Sequence, residues 1–434
     1  MNWFNLTLPS ITAELKSFQE KSLKAHLQYV QKHSPFYSRF FKQNNINITS
    51  INTIEDLASI PPTEKQDLQL YNNDFISVPE DKIIDYVTTS GTLGEPVTFV
   101  LTDNDLERLA YNEYTSLRYT GINNTDKVQL TVTLDRRFMA GLAYFSGLRK
   151  IGAGIIRVGP GNPDLQWDTI LRIKPTVLIA VPSFLLYLLE FAKEKGIDYK
   201  SSSIKKVICI GDTIRDQNFS LNELSKKILQ DWPLQLYSTY ASTEMGTAFT
   251  ECSYGQGGHT IPELIIVECL DENNNPVPEG TPGELVVTPL GIEGMPLIRF
   301  KTGDITILHK EPCLCGNTTW RIGPILGRKN HMIKYKGTTL YPQSLNDILN
   351  VIEAVDSYFI EAYTNEFGTD ELVANIFTSH YSDGLEKKIK DAFRAKLRVT
   401  PLLKFVSKEK VDKVKFSSGS RKPIYFVDRR LESK

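Results

Sequence analysis

Thr176-Val-Leu-Ile-Ala-Val-Pro-Ser-Phe-Leu-Leu-Tyr-Leu-Leu-Glu190 is the stretch on which the fold turns. Its apolar part, Ile179 to Leu189, is too short to cross a bilayer and is interrupted by Pro182; a membrane span takes about 18 or more such residues. A buried strand over Thr176–Ile179, a short loop and a helix over Ser183–Glu194 fit it instead. The alternation extends upstream as strand Lys127–Val132, helix Ala140–Lys150, strand Gly154–Val158 and helix Leu165–Ile173. Downstream come strand Lys205–Ile210, helix Leu221–Leu229 and strand Leu234–Thr239. Strands separated by helices across mostly short loops predict an α/β sheet flanked by helices. Functional groups in such sheets gather outside the carboxyl ends of the strands.

Working outward, residues 10–32 read as helical until His33-Ser-Pro-Phe-Tyr37, where the residue before Pro35 is driven out of the helical region. Lys82–Thr89 reads as a strand entering a loop and Val97–Leu101 as its return, with Thr102-Asp-Asn-Asp105 capping a helix over Leu106–Leu117. Beyond about residue 261 the strands Glu263–Cys269, Gly283–Thr288, Leu297–Phe300 and Ile305–His309 predict a β-rich subdomain covering about 261–326. Gly327–Gly337 is a polar bridge. A helix near Pro342–Val351, strands around Ser357–Tyr363 and Glu371–Ser379, a helix over Gly384–Leu397 and a basic tail predict a small α+β domain. The expected division is 1–329 and 330–434, since a chain of 434 residues exceeds one comfortable core.

A hydrophobic content of 41%, 23% charged residues and a formal net charge of -1 describe an ordinary globular chain. Without a basic excess or aromatic–basic interleaving, nothing points to nucleic acid. The N-terminus is too short and polar for a signal peptide, and no membrane association is expected. Five cysteines do not suggest a disulfide framework. The expectation is a cytoplasmic enzyme.

Val87-Thr-Thr-Ser-Gly-Thr-Leu-Gly-Glu-Pro-Val-Thr-Phe99 places glycines and hydroxyls at a strand end. Thr88, Thr89, Ser90 and Thr92 can donate hydrogen bonds, and Gly91 and Gly94 permit close backbone approach, as a triphosphate requires. The Gly-Lys-Ser/Thr ending of a P-loop is missing. A plain turn between two strands fits the same residues. Leu236-Tyr-Ser-Thr-Tyr-Ala-Ser-Thr-Glu244 runs from an apolar strand into small hydroxyl residues and an acid. Glu244 suits Mg²⁺, a hard cation, or a helix start after Ser242 or Thr243. Arg299-Phe-Lys-Thr-Gly-Asp304 offers a carboxylate for vicinal hydroxyls, or a surface turn. Lys413, Lys415, Arg421 and Lys422 surround Ser417-Ser-Gly-Ser420 in a tail that also reads as a solvated basic face. Cys252 and His259 in a Gly-rich loop, with Cys313-Leu-Cys315-Gly316, compose a Cys₃His set suited to tetrahedral Zn²⁺ with no open position; free buried cysteines are the alternative. Cys209 and Cys269 read as core thiols.

In this order and separation the blocks resemble the adenylate-forming ligase superfamily, and within it the phenylacetate–CoA ligase branch. The resemblance runs nearly end to end: His33–Tyr37, Leu57–Leu68, Thr89–Pro96, Gly141–Gly147, Thr176–Ser183, Tyr240–Glu244, Arg299–Asp304, Gly327-Arg328, Ile333–Pro342 and Lys422–Arg430. It implies an AMP-forming acid–thiol ligase: ATP adenylates a carboxylic acid, phenylacetate or another aryl acid, and CoA then takes the acyl group. An acyl carrier protein in place of CoA is the alternative acceptor, and an ATP-binding homologue without turnover is a third reading. The oligomeric state, a homodimer included, is open.

By the same resemblance, Thr89, Ser90, Gly91, Thr92 and Gly94 cradle the β- and γ-phosphates. Gly211-Asp212 lies near the adenine with Tyr240 beside the ring, followed by Ala241, Ser242 and Thr243. Glu244 coordinates Mg²⁺, Asp304 grips the ribose and Arg328 assists phosphate binding. Lys422 matches the mobile catalytic lysine, with Arg421 and Lys415 as rivals. Phe138, Tyr144 and Phe145 lie where this branch lines its acid pocket. Some members carry a structural zinc, and the placement of Cys252, His259, Cys313 and Cys315 matches it. The chain departs from the pattern at Glu95, where relatives usually carry Lys, at Leu93 for Thr, at Ala241 for Gly, and at Asn330-His331 for an acidic hinge pair.

Overall fold

The computed structural model describes residues 3–5, 12–89, 97–331, 333–335, 338–365, 370–416 and 423–430. Two compact units emerge, one of residues 1–302 with 306–324 and one of residues 303–305 with 325–434. The architecture is a large α/β unit with mixed sheets and a smaller α+β unit.

The large unit is built on a nine-stranded sheet ordered Gly154–Arg157, Lys127–Leu130, Val177–Ala180, Lys206–Ile210, Gln235–Ser242, Thr247–Glu251, Gly258–His259, Arg321–Ile322, Leu308–His309. The first five strands run parallel, and the rest are joined antiparallel. All four residues of Val177–Ala180 are buried, because helices cover both faces of the parallel half. On one face Leu178, Ala180, Val207 and Cys209 pack with Trp167, Trp232 and Leu188. Val177, Ile179, Ile208 and Ile210 turn the other way, towards Leu117, Tyr144 and Leu148. Chain order reverses at Lys127–Leu130, whose successive strands lie on its two sides. A switch of this kind opens a crevice beyond the strand ends.

Upstream, helix Thr12–His33 gives way to helix Pro35–Gln43 at Ser34, which is extended (φ -92, ψ 115) and whose hydroxyl caps Tyr37 N. Strands Asp85–Thr88 and Thr98–Leu101 form a hairpin with Thr88 opposite Thr98. Helix Asp103–Tyr119 starts at a capping box in which Thr102 and Asp105 satisfy each other's backbone N–H groups.

The β-rich stretch divides its strands between two sheets. Ile265–Leu270, Gly283–Pro289, Phe300–Thr306 and Gly327–Arg328 form a four-stranded sheet, while Leu308–His309 and Arg321–Ile322 close the edge of the nine-stranded one. The expected strand Leu297–Phe300 is displaced to Phe300–Thr306. Alternating apolar residues mark strand character, but the partner is chosen by packing at a distance.

The smaller unit has a four-stranded sheet ordered Leu402–Phe405, Asp370–Phe377, Ser357–Thr364, Phe426–Asp428. Ile360, Ala362, Leu372, Ala374 and Ile376 pack with Leu345, Ile348 and Leu349 of helix Pro342–Asn350 and with Leu385, Ile389 and Phe393 of helix Asp383–Leu397. The basic tail contributes structure of its own, strand Leu402–Phe405 and helix Lys408–Lys415, the latter capped by the Ser407 hydroxyl at Lys410 N.

Candidate active site and metal centre

Ile210, the last residue of its strand, pairs with Thr239 in the parallel ladder, so Gly211 leaves the sheet level with Tyr240, which continues the strand Gln235–Ser242. Gly211 turns the chain with φ 76, a conformation that disfavours any side chain. Asp212 is fixed by the Ser183 hydroxyl, which donates to its carboxylate at 3.1 Å from helix Pro182–Glu194. The Tyr240 ring stacks on Phe249 of the antiparallel neighbour, centroids 6.2 Å apart and planes 14° from parallel.

Glu244 does not begin a helix. It sits in the turn between the antiparallel strands Gln235–Ser242 and Thr247–Glu251. Ala241 is exposed, Ser242, Thr243 and Glu244 are half-buried, and the Ser242 hydroxyl accepts from Met245 N at 3.3 Å. A residue absent from the sequence reading holds this turn. Arg108, 1% exposed, donates to the carbonyls of Gly246 (2.6 Å), Leu264 (2.6 Å) and Leu290 (2.7 Å). One turn earlier, Asp105 accepts from the backbone N–H groups of Glu293 and Gly294, both at 2.8 Å. Burial pulls the Arg108 guanidinium down to about 10, with Asp105 and Glu263 acting against the shift. An Asp/Arg pair at i, i+3 on a helix ordinarily reads as a surface pair, so no sequence signal singled it out.

Thr89 closes the hairpin that carries the glycine–hydroxyl loop. Its N–H donates to Val97 O at 3.0 Å and its hydroxyl accepts from Val97 N at 3.1 Å. Ser90, Gly91, Thr92 and Gly94 lie outside the described residues, as do Lys422 and its rival Arg421. Lys415 is engaged elsewhere: its ammonium donates to Ser357 Oγ at 3.2 Å and stands 4.4 Å from the Tyr425 ring centre. Burial lowers its pKa.

Asp304 is buried within the strand Phe300–Thr306, just after Gly303 (φ 76), and is not in a surface turn. It pairs in register with Arg328, whose Nε lies 3.3 Å from its carboxylate. His331, beside the bridge, is tilted against Phe426, and burial lowers its pKa.

Phe138, Tyr144 and Phe145 join one apolar cluster on a face of the parallel sheet. Phe138 precedes helix Met139–Ile151 and borders a groove with Ile84, Tyr86, Leu106, Leu134 and Leu142. Tyr144 is 2% exposed, and burial together with the Glu113 carboxylate drives its hydroxyl pKa upward. The guanidinium of Arg157 lies 5.8 Å from the Phe145 ring centre.

Cys252, His259, Cys313 and Cys315 bring three sulfurs and an imidazole nitrogen within 4.8 Å of one another. Cys252 Sγ and Cys313 Sγ are 3.6 Å apart, and Cys315 Sγ is 3.5 Å from His259 Nε2. Both separations match the edges of a tetrahedron with Zn–S near 2.3 Å and Zn–N near 2.0 Å. A disulfide at about 2.05 Å is excluded for the Cys252–Cys313 pair. Gly316, at φ 87, turns the second loop so that its N–H meets the Cys313 carbonyl at 2.9 Å. Thr319 Oγ1 lies 3.4 Å from the far ring nitrogen, His259 Nδ1, the contact that orients a ligating imidazole. Burial pushes the Cys252 thiol up to about 12. Burial also opposes the Cys313 thiolate, but hydrogen bonds from the Cys315 backbone, Cys315 and Cys252 outweigh it and lower that pKa. Burial, then Arg321, lowers His259 to about 4, leaving a neutral imidazole free to ligate. Cys209 and Cys269 are buried apart from this cluster.

The profile of the family described as AMP-binding enzyme matches residues 27–292, more than half of the chain. The chain belongs to that family, the adenylate-forming superfamily of ATP-dependent acyl-adenylate and acyl-CoA ligases. It is 28% identical over 425 residues to a phenylacetate-coenzyme A ligase of Thermus thermophilus, covering 91% of this chain and 94% of that one. It is 27% identical over 354 residues to the enzyme of the same description from Escherichia coli, covering 80% and 78%. A 2-hydroxyisobutyryl-CoA ligase, solved with 2-HIB-AMP in a postadenylation state, shares the fold with a TM-score of 0.83 at 22% identity, over 99% of this chain and 95% of that one. Among the described residues no helix is long and apolar enough to cross a membrane.

Proposed function

We propose that the protein activates a small carboxylic acid, phenylacetate or another aryl acid, as its adenylate and delivers the acyl group to CoA. The observation that supports this reading is the register Ile210–Thr239, which brings Gly211-Asp212 level with the segment starting at Tyr240 at the carboxyl end of a parallel strand pair, the side of an α/β sheet on which ligands gather.

In this reading the adenine lies between the Gly211 turn and Tyr240, with Thr89, Ser90, Gly91, Thr92 and Gly94 receiving the phosphates. Glu244, on its anchored turn, would hold Mg²⁺, which would supply charge neutralisation for the triphosphate. Asp304 accepts from the ribose hydroxyls while Arg328 directs its remaining donors to phosphate. The carboxylate attacks the α-phosphorus, its oxygen forming the new P–O bond as pyrophosphate departs. Lys422 stabilises the charge that builds there, and fixed donors do so without reorganising. Phe138, Tyr144 and Phe145 shape the acid side of the site and exclude water from a hydrolysable adenylate. The CoA thiolate then displaces AMP. Residues 330–434 would move as a domain between the two half-reactions, with the hinge at Lys329–His331. Cys252, His259, Cys313 and Cys315 would hold Zn²⁺ with protein ligands alone, and the metal would tie two loops together.

Acid-dependent ATP–pyrophosphate exchange across a panel of aromatic and aliphatic acids, with and without CoA, tests the reading. Exchange with an aryl acid and loss of free CoA are expected. Adenylate formed while CoA is ignored points to a carrier-protein thiol as acceptor. No exchange with any acid overturns the enzyme reading and leaves an ATP-binding homologue.

A further inference from the structure

Arg136 and Arg137 are consecutive residues with φ 58 and 57. Both lie in the left-handed region, which a non-glycine side chain enters only against steric resistance. Strain of this kind persists where surrounding structure imposes it, and it collects at sites that use it. Here the imposing contact is specific: the carbonyl of Arg137 accepts the N–H of Thr88 at 3.0 Å. The strained pair is thereby stitched to the outer edge of strand Asp85–Thr88, one residue before Thr89 closes the hairpin on Val97.

Both arginine side chains are exposed. Among the described residues Arg136 has only a loose partner, Asp135, at 3.9 Å, and that carboxylate also accepts from the Thr133 hydroxyl. Arg137 makes no ion pair or side-chain hydrogen bond with any other described residue; Asp85 borders the same groove. From Val87 to Leu101 the chain contains Glu95 and neither lysine nor arginine. A triphosphate carries about four negative charges, so a phosphate loop that adds an anion and no cation is electrostatically incomplete.

We propose that Arg136 and Arg137 are the cationic wall of the triphosphate site, contacting the β- and γ-phosphates beside Thr89. This rests on the adenylation reading and deepens it. The planar guanidinium suits phosphate oxygens in a bidentate arrangement, and the left-handed backbone at 136–137 sets where the two side chains leave the hairpin edge.

Arg136→Gly and Arg137→Gly test it, because glycine accepts the backbone without strain and separates binding from folding. With the full chain, calorimetric titration of Mg²⁺-ATP should weaken about tenfold in each single variant and further in the double. AMP, which lacks the contacted phosphates, should bind within about twofold of the parent, and the melting temperature should hold or rise. Arg137→Lys should recover part of the ATP affinity. Equal losses for ATP and AMP, unchanged ATP affinity, or a change confined to the KM of the acid would each overturn the proposal. Failure of the parent chain itself to bind ATP would sink the adenylation reading, an outcome distinct from any variant effect.

Discussion

Glu113 shows what one buried acid does to the molecule. It is 3% exposed; Oε1 accepts from the Asn112 amide at 3.2 Å, and Oε2 has no hydrogen-bond partner among the described residues. It lies against Gly147, where an added Cβ would come within 2.4 Å of the Glu113 Cβ, so the helices Asp103–Tyr119 and Met139–Ile151 leave it no room to reach solvent. Burial pushes its carboxyl up from 4.5 to about 8, the Asn112 hydrogen bond acting weakly against this. The folded state therefore keeps a proton that the unfolded chain releases above about pH 4.5. Stability is full below that pH and falls as pH rises towards 8, by on the order of 5 kcal/mol at most. Glu113→Gln should flatten the decline in melting temperature between pH 5 and 8; a parallel decline in both proteins would show that another group is responsible. In sequence this residue looked like any polar position of an amphipathic helix, since burial by a facing helix is a tertiary fact. Asp304 was the converse case. Its chemistry was readable, but its strand placement and its pairing with Arg328 depend on a partner strand more than twenty positions away.

At the scale of elements, the turn carrying Glu244 and the two cysteine loops are held by side chains from distant segments. Arg108→Ala removes three donors from buried carbonyls at Gly246, Leu264 and Leu290, of which Leu264 keeps the Leu290 N–H at 2.7 Å. The expected cost is about 3–5 kcal/mol. If the turn positions Mg²⁺, the surviving folded fraction should also need more Mg²⁺ for half-maximal exchange; a loss of stability with unchanged Mg²⁺ dependence would make Arg108 purely structural. The cysteine cluster joins the loop after strand Thr247–Glu251 to the segment before Arg321–Ile322, strands that meet through Gly258–His259. Metal analysis should find about one Zn per chain, and Cys313→Ser should lose it together with several degrees of melting temperature. A metal-free parent protein with unaltered stability would reject the site. The four candidate ligands were legible because Cys and His are rare enough to stand out. The Asp105–Arg108 brace was not, because charged residues at helical spacing are common.

For the whole molecule, the alternation of strands and helices between Lys127 and Ser242 was legible because each buried strand is a short apolar run bounded by turns. The strand order, the sharing of the β-rich segments between two sheets, and the strand and helix within the basic tail were not, since pairing partners are selected by contacts far apart in sequence. The smaller unit has a core of its own around Ile360, Leu372, Ile389 and Phe393, all at most 1% exposed. A unit with its own core can melt on its own, so two calorimetric transitions are expected. Phe393→Ala leaves a cavity costing about 3–5 kcal/mol, and it should lower one transition while leaving the other in place. The proposed ligase needs Asp304, Arg328 and Lys422, which belong to the smaller unit. Heating the variant just past its lowered transition should therefore abolish acid-dependent exchange while the Zn²⁺ proposed at Cys252, His259, Cys313 and Cys315 of the larger unit is retained. A single transition that moves as a whole, or exchange that survives the first melt, would show that the two units do not divide the labour in this way.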